Sequence, residues 1–203
     1  MRYALLRLED GSLAAAASPP FKAAPSAGTL CLVREGGADA PLEPARFESE
    51  EERQGPPPAS VSCAFVSFAT RAEAARALSN AEEEPKFRRI VADACAAAGK
   101  ELVAARFRFS LRRERLVVTL SLGSFFDSRP IRDALAAAFS GQIDIRMVPP
   151  RVLAASVGGL GQCGLPLCCS RGLRPAERAR GAARRRDVST GLCNRPQCCA
   201  DFD

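Results

Sequence analysis

Cysteine placement constrains this chain more than any other feature. Nine cysteines occur in 203 residues, and Cys163, Cys168, Cys169, Cys193, Cys198 and Cys199 crowd the C-terminal end. The segments GQCGLPLCC (161–169) and GLCNRPQCC (191–199) superimpose at a constant offset of 30 residues. Gly161 matches Gly191, Cys163 matches Cys193, Pro166 matches Pro196, and Cys168-Cys169 matches Cys198-Cys199. This is an internal duplication of a G-x-C-x-x-P-x-C-C motif. Thiolates are soft donors that suit Zn²⁺, Cu(I) and iron–sulfur clusters. Glycine lets the backbone turn tightly around such a group, and proline stiffens the loop. The Cys-x₂-Cys pairs of zinc ribbons are missing, which weighs against an ordinary zinc finger. Spacing alone leaves iron–sulfur and zinc both open. The plainer alternatives are buried thiols, or disulfides, which need an oxidising compartment.

Composition removes whole classes of chemistry. The chain has no histidine, so Ser/His/Asp triads, Cys/His dyads and Cys₂His₂ fingers are excluded. Tryptophan is absent and Tyr3 is the single tyrosine. Hydrophobic residues at 47% and charged residues at 26% fit a globular protein. The start, MRYALLRLEDGSLAAAASPP, has no cationic region followed by a long apolar run, so no secretory signal is expected. Residues 13–17 are too few to cross a bilayer, which needs about 20 apolar residues. The expectation is a cytoplasmic protein without membrane insertion. In that reducing setting clustered thiols point to metal or redox chemistry. The scattered Cys31, Cys63 and Cys95 read as small core residues.

Periodicity predicts an α+β fold, a mostly antiparallel sheet with helices on one face. Strands are expected at 2–8 and 28–33 in a small N-terminal β subdomain, residues 1–47. The acidic, proline-rich stretch ESEEERQGPPPAS suggests a linker at 48–59. An α+β core is expected over 60–150. It opens with a strand at 60–69 and a helix capped by Thr70, with Glu73 completing a capping box. Pro85 interrupts the helical pattern. A second helix carries Phe87, Ile90, Val91 and Ala94 on one face and ends at Gly99. Strands at 102–109 and 115–122 flank a turn at 112–114. The Arg106-Phe107-Arg108-Phe109 alternation predicts one basic and one apolar face, with both phenylalanines toward the core. Residues 128–140 read as a helix capped by Ser128 and closed by Gly141. Residues 142–148 read as a strand stopped by Pro149 and Pro150. Residues 151–203 form an irregular cysteine-rich segment.

Seven arginines fall between Arg171 and Arg186, with Glu177 the one acid, so this segment carries a charge equal to the chain's net +6. Arg178, Arg180, Arg184, Arg185 and Arg186 are candidate contacts for RNA or other phosphates. A solvated face in an arginine-rich chain is the plainer reading, and neutralisation of an anionic thiolate site is a third. Catalysis is not expected. No histidine is available as a base, the carboxylates concentrate in the acidic stretch, and VGGLG (157–161) lacks the Lys-Ser/Thr of a phosphate loop.

The segment GGLGQCGLPLCC, followed by a second Gly-Leu-Cys…Cys-Cys segment, resembles the PSP-one C-terminal-domain family, which includes the RicT/YaaT-like bacterial proteins. The stretch FFDSRPIRDALAAAFSGQIDIRMV (125–148) is similar to that family's helix and following strand. The resemblance covers 60–203 well and 1–59 loosely. It implies a non-catalytic adaptor that associates with two small helical proteins in an iron–sulfur-bearing complex, with clusters of the 4Fe–4S kind. It also implies action with the endoribonuclease RNase Y in messenger RNA maturation. The candidate ligands it implies are Cys163, Cys168, Cys169, Cys193, Cys198 and Cys199. Two alternatives stand beside it: a zinc-stabilised nucleic-acid-binding module, and a thiol redox sensor.

Overall fold

The computed structural model describes residues 2–18, 21, 25–52, 61–122, 127–157, 160, 161, 163–165 and 167. It is an α+β chain that falls into two units, Met1–Met147 and Val148–Asp203.

The first unit begins as a β-barrel. Strands β1 (Arg2–Leu8), β2 (Leu13–Ala17), β3 (Leu30–Arg34), β4 (Glu43–Glu52), β5 (Val61–Ser62) and β6 (Ala64–Phe68) pair in the order β5-β2-β1-β4-β3-β6. Only Cys63 separates β5 from β6, so one stretch of chain borders both ends of this sheet. Its first half runs parallel to β2, and the Cys63 amide donates to the Ala15 carbonyl at 3.1 Å. Its second half runs antiparallel to β3, and the Ala69 amide donates to the Leu30 carbonyl at 3.0 Å. The sheet therefore closes on itself, which removes its free edges.

Alternate residues of each strand point inward, as closure requires. Ala4, Leu6 and Leu8 of β1, Ala14 and Ala16 of β2, Cys31 and Val33 of β3, and Ala45 and Phe47 of β4 share one buried cluster. Cys63 and Phe65 pack against it from the closing stretch, with Phe21. A barrel of so few strands is narrow, which accounts for the alanines and cysteine inside it. Phe21, Phe65 and Phe68 meet near one end, with ring centroids 5.3–5.5 Å apart.

Next come helices α1 (Arg71–Glu82) and α2 (Glu84–Ala97), strands β7 (Leu102–Phe109) and β8 (Arg115–Leu122), helix α3 (Arg129–Ala136) and strand β9 (Gln142–Met147). The capping box at Thr70 and Glu73 forms in both directions. Pro85 sits in the first turn of α2, where its missing N–H costs no helical bond. The second sheet has the order β7-β8-β9; β7 and β8 are antiparallel, and β9 lies parallel to β8. Helices α2 and α3 cover one of its faces. Phe87, Val91 and Cys95 of α2, and Ile131 and Leu135 of α3, pack with Phe139 on Phe107, Phe109, Leu116, Val118 and Leu120. A Cβ on Gly141 would lie 2.5 Å from the Glu114 carbonyl oxygen and 2.7 Å from that of Arg113, so the α3–β9 turn needs glycine for close approach.

Several expectations differ from this arrangement. The short apolar run at 13–17 is strand β2 (LAAAA), its alanines fitting the narrow barrel interior although alanine is a weak strand former. The expected linker begins as strand, since Glu48 and residues 49–52 continue β4 and the last four pair with β1. The expected 60–150 unit loses its first strand to the barrel, and the division falls at 147/148. Ser128 makes no side-chain cap for α3; Asp127 Oδ1 accepts from the Arg129 amide at 3.0 Å instead. In the second unit, Pro149 and Pro150 lead into helix α4 (Pro150–Val157) within the segment expected to be irregular.

Candidate metal centre

Of the candidate ligands, Cys163 lies among the described residues. Cys168, Cys169, Cys193, Cys198 and Cys199 lie outside them, as do Arg178, Arg180, Arg184, Arg185 and Arg186. Cys163 sits on a closed turn. The Gly161 amide donates to the Leu165 carbonyl at 2.8 Å, and the Gly164 amide donates to the Gly161 carbonyl at 2.9 Å. Gly164 has φ +76°, a conformation that L side chains rarely adopt. Gly161 and Gly164 thus close the backbone around the first cysteine; Gly161 recurs as Gly191, whereas Asn194 stands where Gly164 would repeat. Cys163 is a half-buried free thiol. Leu160 and Leu165, on either side of it, are exposed.

The other three described cysteines are packing residues. Cys31 and Cys95 are fully buried, and Cys63 is partly buried. Burial pushes the Cys31 thiol up to about 12 and the Cys63 thiol up to about 11. Burial also raises Cys95. Such thiols resist ionisation and are poor ligands and nucleophiles. Among the described residues, no three Cys, Asp or Glu side chains gather as a metal site. The remaining cysteines of the duplicated motif lie outside the described residues, and thiolates are soft donors.

A second concentration of chemistry was not legible in the sequence. The face of the three-stranded sheet opposite the helices carries Arg108, Arg115, Asp144 and Arg146. Arg108 lies on the basic face that the alternation predicts, and it is 0% exposed. Its Nη2 lies 2.5 Å from Glu35 Oε2 and its Nε lies 3.1 Å from Glu43 Oε2. Glu35 also pairs with Arg146 at 2.8 Å, Glu43 with Arg115 at 3.4 Å, and Arg115 with Asp144 at 2.5 Å. The run Arg146–Glu35–Arg108–Glu43–Arg115–Asp144 alternates in sign along its length. Glu43 begins β4 and Glu35 follows β3, both in step with the inward-facing residues of those strands, so the acids rim one end of the barrel. Arg108 projects from β7 into that rim.

Burial opposes the charge on Arg108, but Glu43, Asp10 and Glu35 outweigh it and raise its pKa. Burial likewise works to raise Glu35, yet Arg108 and Arg146 hold it below the ordinary range. Burial dominates at Glu43 and raises it despite Arg108 and Arg115. The run links the two sheets, and loss of one partner would strand an uncompensated buried charge.

Comparison of the chain with protein-family models, curated proteins and solved structures returned no match. Among the described residues, no helix is long and apolar enough to cross a membrane.

Proposed function

We propose that the chain is a non-catalytic, cysteine-rich adaptor that holds an iron–sulfur cluster through Cys163, Cys168, Cys169, Cys193, Cys198 and Cys199. The observation that carries this reading is the duplication at a 30-residue offset, which repeats all three thiols of each motif. The closed turn at Cys163 supports it, because Gly161 and Gly164 bracket that thiol on a hydrogen-bonded turn. A bound cluster would supply a redox-active or structural centre, and backbone amides of such loops can hydrogen-bond its sulfurs. Six thiols exceed the four of one cluster, so ligands are shared or left for a partner chain. In keeping with the resemblance to RicT/YaaT-like proteins, the partners would be small helical proteins and RNase Y, and the setting cytoplasmic mRNA maturation.

The zinc-stabilised nucleic-acid-binding module is the second reading, favoured by the seven arginines between 171 and 186. Anaerobic purification followed by iron, sulfide and zinc analysis separates the two. Equal iron and sulfide with a broad visible absorption supports the cluster. Zinc without colour supports the second reading, and RNA affinity should then fall on replacing Arg184, Arg185 and Arg186 with no loss of metal. Neither metal, even with the partner proteins co-expressed, would leave a thiol redox sensor.

A further inference from the structure

Strand β9 ends the three-stranded sheet, and its outer edge has no strand partner among the described residues. The Gln142 amide donates to the Glu114 carbonyl, on the β8 side, at 2.8 Å. Backbone groups alternate sides along a strand. Gln142, Asp144 and Arg146 therefore pair toward β8, while Ile143, Ile145 and Met147 turn their N–H and C=O groups outward. Arg132 Nη1 donates to the Ile143 carbonyl at 2.9 Å, which leaves that oxygen a second lone pair. The strand has neither the proline nor the bulge that blunts many sheet edges. Ile143 and Ile145 belong to the core under the helices, and Met147, in step with them, is 42% exposed. The charge run Arg146–Glu35–Arg108–Glu43–Arg115–Asp144 starts and ends on this strand, with opposite signs at its two ends. Both end residues are partly exposed.

We propose that β9 is the interface of a two-fold homodimer, in which a second copy of this chain adds its own β9 antiparallel to this edge and the two sheets become one. The pairing is centred on Ile145. Its outward N–H and C=O groups exchange both bonds with the partner's Ile145, a hydrogen-bonded pair. Asp144 then stands opposite the partner's Arg146, and Arg146 opposite the partner's Asp144, as two-fold symmetry requires. These are pairs of the non-hydrogen-bonded kind, whose side chains lie closest, and opposite charges there are favourable. The charge run of one copy thereby continues into the run of the other. On the helix side, Met147 packs beside the partner's Ile143, which covers its exposed side chain. Charge also selects the register. Centring the pair on Asp144 or Arg146 sets like charges opposite each other, and centring it on Ile143 or Met147 leaves both residues without an opposite charge.

The test is sedimentation equilibrium of the full chain, with thiols kept reduced so that disulfides do not link copies. The wild type should weigh two chains, whereas Asp144→Lys or Arg146→Asp alone should weigh one. Each variant sets like charges opposite each other in its own dimer. An equal mixture of the two restores both opposite-charge pairs and should recover the mass of two chains. A monomeric wild type would overturn the proposal and make the charges a guard against edge pairing. Dimers of either variant alone, or a mixture that stays monomeric, would also overturn it. If a variant does not fold, amide hydrogen exchange in the wild type decides. The Ile145 amide should lose its protection on dilution, while the Asp144 amide, bonded toward β8, keeps its own. An Ile145 amide that exchanges freely at every concentration, or one that responds no more than Asp144, refutes the dimer.

Discussion

The barrel and the three-stranded layer solve the same packing problem in opposite ways. The barrel's interior sets Ala4, Ala14, Ala16, Ala45 and Cys31 among Leu6, Leu8, Val33 and Phe47. Backbone pairing around a closed circumference leaves no edge and fixes the narrow space that small and large side chains share. The layer has three strands and cannot close. It excludes water with volume: Phe87, Phe107, Phe109 and Phe139, with α2 and α3 laid over them. Phe87 meets Phe109 and Phe139 edge to face and those two are tilted on each other, with centroids 5.3–6.3 Å apart. The barrel's shape is thus set by closure and the layer's by the helices laid over it, and the two halves meet at a buried run of charge.

The largest effect should come from breaking that meeting point. Arg108→Met leaves Glu43 and Glu35 buried with half their cationic support, and should cost about 3–5 kcal/mol. Urea unfolding followed by circular dichroism measures it, since the chain has no tryptophan and one tyrosine. A cost near zero would mean that the packed faces, not the ions, hold the halves together.

A smaller effect sharpens the contrast between the cores. Ala14→Val adds two carbons inside a circumference that cannot widen, and should cost about 1–3 kcal/mol as overpacking. Ile131→Val removes one methylene beneath a helix that can settle, and should cost about 0.5–1.5 kcal/mol. The reverse order would show that the barrel yields more readily than the layer.

What the sequence revealed follows the same division. Strands 102–109 and 115–122 and the Thr70–Glu73 capping box are readable because alternation and capping are local signals. The phenylalanines of Arg106-Phe107-Arg108-Phe109 point into the core as their spacing predicts. Arg108 itself was not readable as a buried residue, because its partners lie 73 and 65 positions away, at Glu35 and Glu43, and only the closed barrel brings them near. Strand β2 was hidden by its alanines, and Glu48 to Glu52 by their charge, which reads as solvated chain until β1 is seen alongside. The parallel pairing of β9 with β8 across α3 likewise carries no local signature. Of the candidate centre, the motif was legible in full, and the structure adds the hydrogen-bonded turn that Gly161 and Gly164 form around Cys163.

Because the two motifs are copies, Cys163 and Cys193 should be equivalent ligands. The most direct measurement is the iron and sulfide content of anaerobically isolated full-length protein carrying Cys163→Ser or Cys193→Ser, beside the wild type. The account predicts stoichiometric iron and sulfide in the wild type and a comparable, large loss in both variants. Wild-type protein loaded with zinc instead, or variants that keep their full iron, would contradict it.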